Sequence, residues 1–158
     1  MKIFSPDFKE KDLIPSKYTC DGENINPSLE LSDIPNGTKS LVLIMDDPDI
    51  PDFVKETKEI EVFDHWIVFN IRFNTNESLF FKVEEGIEPN GTKGRNSSGG
   101  LGYTGPCPPD SKHRYFFKFY ALDSFIDLPE GVSKTELEKF MNGSVLDYAE
   151  LVALYERI

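Results

Sequence analysis

Three short runs in this chain are too apolar to face water, and they restrict the fold more than any other feature. Ser40-Leu41-Val42-Leu43-Ile44-Met45 lies between the turn dipeptide Asn36-Gly37 and Asp47-Pro48. It has no polar position after its first, so it reads as a strand buried on both faces. His65-Trp66-Ile67-Val68-Phe69-Asn70-Ile71 has the same β-branched and aromatic character, as does the run from Tyr115 to Leu122, where Lys118 is the one charge. Leu79 to Val83 is a shorter fourth candidate. The period changes in the last quarter. Ser133-Lys134-Thr135-Glu136 reads as a capping box, Leu137, Phe140 and Met141 follow at helical spacing, and Gly143 suits a left-handed cap. Ser144 is read as the start of a second helix, striped by Val145, Tyr148, Leu151, Val152 and Tyr155. The expectation is a mainly β, β-dominated α+β domain over residues 1–158, a mainly antiparallel sheet first and two C-terminal helices after it.

Charge and cysteines narrow the function classes. Acids outnumber bases 28 to 17, a formal charge of −11, which repels phosphate backbones and anionic lipid surfaces. Nucleic acid is therefore not an expected partner. No run of eighteen apolar residues occurs, so no integral membrane association is expected. The first residues lack a signal-like apolar core, and a cytoplasmic protein is the default. Cys20 and Cys107 form no C-x-x-C, and the expectation for them is two reduced, partly buried thiols. A bridge becomes plausible only in an oxidising compartment or a hyperthermophile.

The segment from Asn90 to His113 is crowded with glycine and proline and leaves no room for a regular element. Within it, Gly100-Leu101-Gly102-Tyr103-Thr104-Gly105 matches G-x-G-x-x-G literally. Pro106-Cys107-Pro108-Pro109 follows, and it cannot open the helix that a dinucleotide site needs, so the match is accidental. The chain's two histidines, His65 and His113, each begin an apolar strand. The strand from Leu41 ends in Asp46-Asp47-Pro48-Asp49, where the proline stiffens a turn carrying two carboxylates. If these strand ends converge at one rim, the imidazoles, the carboxylates and the Tyr115 hydroxyl share a pocket. The glycine/proline loop would wall it, with backbone N–H groups pointing inward.

Those residues carry a family resemblance. Asp47-Pro48-Asp49-x-Pro51, His65-Trp66-Ile67-Val68-x-Asn70, Gly102-Tyr103-x-Gly105-Pro106-Cys107-Pro108-Pro109 and His113-Arg114-Tyr115 resemble, in order, the signatures of the phosphatidylethanolamine-binding protein family, also called the Raf kinase inhibitor protein family. Lys17-Tyr18-x-Cys20-Asp21-Gly22-Glu23 and Ser40-Leu41-Val42-Leu43-Ile44 resemble its bacterial and archaeal branch. The resemblance implies a large central antiparallel sheet packed with a smaller sheet and peripheral helices. It also implies an anion pocket at Asp47, Asp49, His65, Gly105, Pro106, His113 and Tyr115, for phosphate, a phosphorylated head group or a carboxylate. The spacer Asp110-Ser111-Lys112 is shorter than in eukaryotic members and lacks their glycines.

A non-catalytic, regulatory binding module for a small anion is the expected function, with no cofactor or metal and with a kinase or protease as a possible protein partner. Two alternatives belong to other classes. One is a protein inhibitor of a protease or kinase. The other is a metal-dependent hydrolase built on the Asp/His cluster, since His plus carboxylate is a legitimate ligand set.

Overall fold

A computed structural model describes residues 1–73 and 79–158. Strand β3 (Ser40–Asp47) lies at the centre of a five-stranded antiparallel sheet ordered β6-β4-β3-β7-β8. Its partners are β4 (Phe63–Ile71), β6 (Thr92–Lys93), β7 (His113–Leu122) and β8 (Val145–Tyr155). A three-stranded antiparallel sheet, β1 (Lys2–Phe4), β2 (Leu29–Ser32) and β5 (Phe81–Val83), packs on one face of it. Helix α2 (Lys134–Met141) covers the other face, and helix α1 (Asp52–Lys58) follows β3.

This layering explains why β3 shows no alternation: every one of its residues is buried. Leu41, Leu43 and Met45 join Leu29, Leu31, Trp66 and Phe117 between the two sheets. Val42 and Ile44 join Ile67, Phe69, Leu137 and Met141 beneath α2. Polar groups on that second face are paired. Lys134 reaches Asp46 at 3.1 Å and Asp64 at 2.6 Å, and Lys118 reaches Asp46 at 2.9 Å. Two cations and two carboxylates thus balance one another and pin the start of α2 to the sheet. Ser133 caps α2 by accepting the Glu136 N–H, and Gly143 takes a φ of 85°, as the sequence indicates.

The second C-terminal helix is not present. Val145–Tyr155 is strand β8, paired with β7 from Leu122↔Val145 to His113↔Tyr155. Ala149, Leu151, Ala153 and Tyr155 alternate into the core, a period of two that the helical stripe through Tyr148 and Leu151 had masked. Docking on β7 decides between the readings, because it hydrogen-bonds the strand and buries its alanines.

Cys20 and Cys107 are bridged, correcting the expectation of free thiols; their Cα atoms lie 5.4 Å apart across a sequence separation of 87. Tertiary packing brings them together. A 3-10 turn at Ser16–Tyr18 and the residues after it dock on the glycine/proline loop. There Tyr103 Oη–H donates to the Tyr18 carbonyl at 2.6 Å, and Cys20 N–H donates to the Pro106 carbonyl at 3.1 Å.

Candidate functional site

The C-terminal end of β3, the N-terminal ends of β4 and β7, helix α1 and the glycine/proline loop enclose a cavity of about 250 Å³. Five of the seven expected residues line it: Asp47, His65, Gly105, His113 and Tyr115. Asp49 and Pro106 do not. Asp49 forks onto Arg114 at 2.9 and 2.8 Å and also accepts the Arg114 backbone N–H, which holds its carboxyl below the usual range. Pro106 contributes only its carbonyl to the Cys20 contact.

A β-bulge aims His65 inward. Met45 pairs with Trp66 and Asp46 with Asp64, so His65 is an extra residue in β4 and the alternation inverts across it. Trp66 therefore faces the core between the sheets, Asp64 faces Lys134 on the opposite side, and His65 and Phe63 turn to the cavity. The Tyr115 ring lies edge-on to His65 at 5.3 Å and stacked with His113 at 6.4 Å.

The two imidazoles have different states. His65 is 5% exposed and its Nδ1–H donates to the Thr104 carbonyl at 2.8 Å. Burial pushes its pKa down to about 4, so the ring is neutral and Nε2 is an acceptor. His113 donates from Nδ1 to Asp47 at 2.7 Å and from Nε2 to Asp110 at 2.8 Å. Burial opposes its charge, but the two carboxylates outweigh burial and raise its pKa. Burial also raises the Asp47 carboxyl against the opposing His113 bond. Shifts in the same direction mean that the pair holds its proton more tightly than the separated groups would. In this arrangement each imidazole N–H is already engaged, His65 with the Thr104 carbonyl and His113 with Asp47 and Asp110. The expected inward amides are also engaged: Thr104 N–H donates to the His65 carbonyl and Gly105 N–H to Asn24 Oδ1. Gly105 is required by close approach, since a Cβ there would collide with the Tyr18 carbonyl.

What remains for a ligand is Tyr115 and the rim. The Tyr115 hydroxyl is fully buried and makes no hydrogen bond among the described residues. Burial, followed by the nearby Asp47 charge, raises its pKa and keeps it a neutral donor. Lys58 stands at the mouth on α1, one turn after Val54, and both line the cavity with Ile50, Phe63, Cys107, Pro108 and Pro109. Sequence reasoning missed Lys58 because Asp52–Lys58 was not read as a helix; Pro51 ahead of Val54 and Lys58 at i, i+4 was the available signal. It also missed Asp110, which looks like any acidic loop residue until His113 folds against it.

Acid should therefore act on the fold through His65. Between pH 6.5 and about 4 the unfolded chain binds a proton that the folded ring refuses, so stability present above pH 6.5 is lost as pH falls. That amounts to about 3 kcal/mol at pH 4. Urea midpoints of the wild type and His65→Gln from pH 7 to pH 4 read it directly. The variant should lose less stability over that range, and parallel curves would contradict the assignment.

An antiparallel two-sheet fold with a small cavity at the strand ends, walled by a glycine/proline loop, is the architecture by which the chain can be classed. The chain belongs to the phosphatidylethanolamine-binding protein family, whose family model matches residues 4–156. It is 44% identical to a UPF0098 protein of Methanothermobacter thermautotrophicus, over 99% of each chain. It superposes on the crystal structure of CT736, a phosphatidylethanolamine-binding protein homologue from Chlamydia trachomatis, with TM-score 0.89 and 40% identity, covering 99% and 97% of the two chains. Against Escherichia coli YbcL, described as a member of the mammalian family, the TM-score is 0.84 at 28% identity, covering 99% and 98%.

Proposed function

We propose that this protein is a non-catalytic module that binds a small anion in the cavity beside α1. The ligand class is a phosphate, a phosphorylated head group or a carboxylate. One observation carries the reading. The Tyr115 hydroxyl is fully buried and unpartnered among the described residues. An orphaned buried hydroxyl costs about 1–3 kcal/mol, and an anionic oxygen admitted beside it by a small shift of the cavity wall would satisfy it. Lys58 at the mouth supplies a positive charge, and the apolar wall of Ile50, Val54 and Phe63 suits the body of a head group. Family membership supports the same class. The hydrolase alternative finds less support. Both His113 ring nitrogens already face carboxylates, Nδ1 at 2.7 Å from Asp47 and Nε2 at 2.8 Å from Asp110, so a metal would have to displace one of them.

Tyr115→Phe tests the reading through two opposite effects. Without ligand, the variant should be at least as stable as the wild type, because it removes an unpaired polar atom and keeps the ring. Its affinity for phosphate, phosphoethanolamine or acetate should fall about tenfold, one hydrogen bond to a charged group. Equal affinities by calorimetry would sink the assignment.

A further inference from the structure

The two carboxylates that hold His113 are not equivalent. Asp47 is 2% exposed, sits on β3 and is further fixed by accepting the Asp49 N–H at 2.7 Å. Asp110 sits in the irregular segment between Pro109 and β7, with its side chain 42% exposed. Pro108 and Pro109, immediately before it, line the cavity, as does His113 itself, whereas Asp110 lies along an adjoining groove with Ser111 and Glu156 that shares the two prolines. A hydrogen bond confines its acceptor to about 3 Å from the donor along the N–H direction. Any external anion using the His113 Nε2–H would therefore have to stand where Asp110 Oδ1 stands, at 2.8 Å.

We propose that Asp110 is a tethered competitor for the bound anion: a carboxylate of the chain itself that occupies His113 Nε2 until an external anion displaces it, and so sets which anions the cavity accepts. The inference rests on the anion-binding reading of the cavity. Two effects of Asp110 act in the same direction. It fills the donor with a charge-assisted bond, and it places a negative charge beside the incoming ligand. A dianion is repelled more than a monoanion, so Asp110 discriminates against phosphate relative to acetate. Displacement is feasible because the exposed carboxylate exchanges the imidazolium for water, whereas Asp47 has no such exit. A purely structural role for Asp110 gives the opposite sign, because loss of a structural contact weakens binding.

The test is calorimetric titration of the full chain with inorganic phosphate and with acetate, at one pH near 7 and one ionic strength. The proteins are the wild type, Tyr115→Phe, Asp110→Ala and Asp110→Asn. Asp110→Ala should bind phosphate about tenfold more tightly than the wild type, the worth of one charge-assisted hydrogen bond, with a smaller gain for acetate. Asp110→Asn loses the charge but keeps an amide oxygen able to accept from Nε2, so its gain should be intermediate. It also decides the matter if Asp110→Ala does not fold. Suppose the wild type binds, Tyr115→Phe is weakened and neither Asp110 variant gains affinity. The competitor is then overturned while the pocket reading stands. If neither the wild type nor the Asp110 variants bind phosphate or acetate, both are overturned.

Discussion

Replacing Cys20 with serine is expected to lower the unfolding free energy by about 4–5 kcal/mol, the largest single effect foreseen for this chain. The bridge to Cys107 closes a loop spanning 87 positions in sequence. A cross-link of that span removes much of the chain entropy of the unfolded state, about 4.5 kcal/mol by loop closure. The loss should be concentrated at the cavity. Cys107 lines it, and the docked segment from Tyr18 to Asn24 holds the same wall through Tyr103, Gly105 and Pro106. Guanidinium unfolding of oxidised wild type, reduced wild type and Cys20→Ser should give two coincident low midpoints and one high one. Three equal midpoints would show that the bridge contributes nothing.

Asp47→Ala should cost about 3–5 kcal/mol, whereas Asp49→Ala should cost less than about 1 kcal/mol. The residues flank the same proline but have different surroundings. Removing Asp47, at 2% exposure, strands the His113 Nδ1–H in the interior and takes the acceptor from Asp49 N–H. Removing Asp49 breaks a fork to Arg114, whose side chain is 55% exposed and free to turn to water. A pH dependence accompanies the Asp47 effect. The folded pKa of His113 is raised, so its contribution is complete below the unfolded value near 6.5 and is lost as pH climbs through the folded one. Denaturant titrations at pH 6 and pH 9 should show the Asp47→Ala penalty shrinking at the higher pH. Equal penalties for the two aspartates would refute the distinction.

The strongest strands were legible because their residues have one way to avoid water. Ser40–Met45, His65–Ile71 and Tyr115–Leu122 all fall within β3, β4 and β7, which extend each by two end residues. Those end residues include Asp47 and His113, so the site could be placed at strand ends before its geometry was known. Short elements were not legible. β1, β2 and β6 carry two to four residues each, too few for a period to register. Val145–Tyr155 satisfied a helical stripe and an alternating one at once, and only pairing with β7 separates them. Gly105 illustrates a middle case. Its place in a glycine/proline loop suggested a wall, but the steric need for glycine comes from the Tyr18 carbonyl, distant in sequence.

The β-dominated class, the central doubly buried strand, the capped helix at Ser133 and the candidate residues at the strand ends can all be read from neighbouring residues alone. These follow from local chemistry: apolar side chains leave water, and a serine hydroxyl answers an orphan amide. The hydrogen-bond partners of those residues, and the charge each favours, depend on contacts between distant segments. His65 and His113 are the same side chain at similar strand positions, yet burial favours the neutral form of one against a carbonyl and two carboxylates favour the charged form of the other. The bulge in β4 and the turn that brings Asp110 over His113 make that difference, as the docking of Tyr18–Asn24 makes the disulfide. A proton's free energy depends on burial and on charges within a few ångströms, and those distances exist only once the chain has closed on itself.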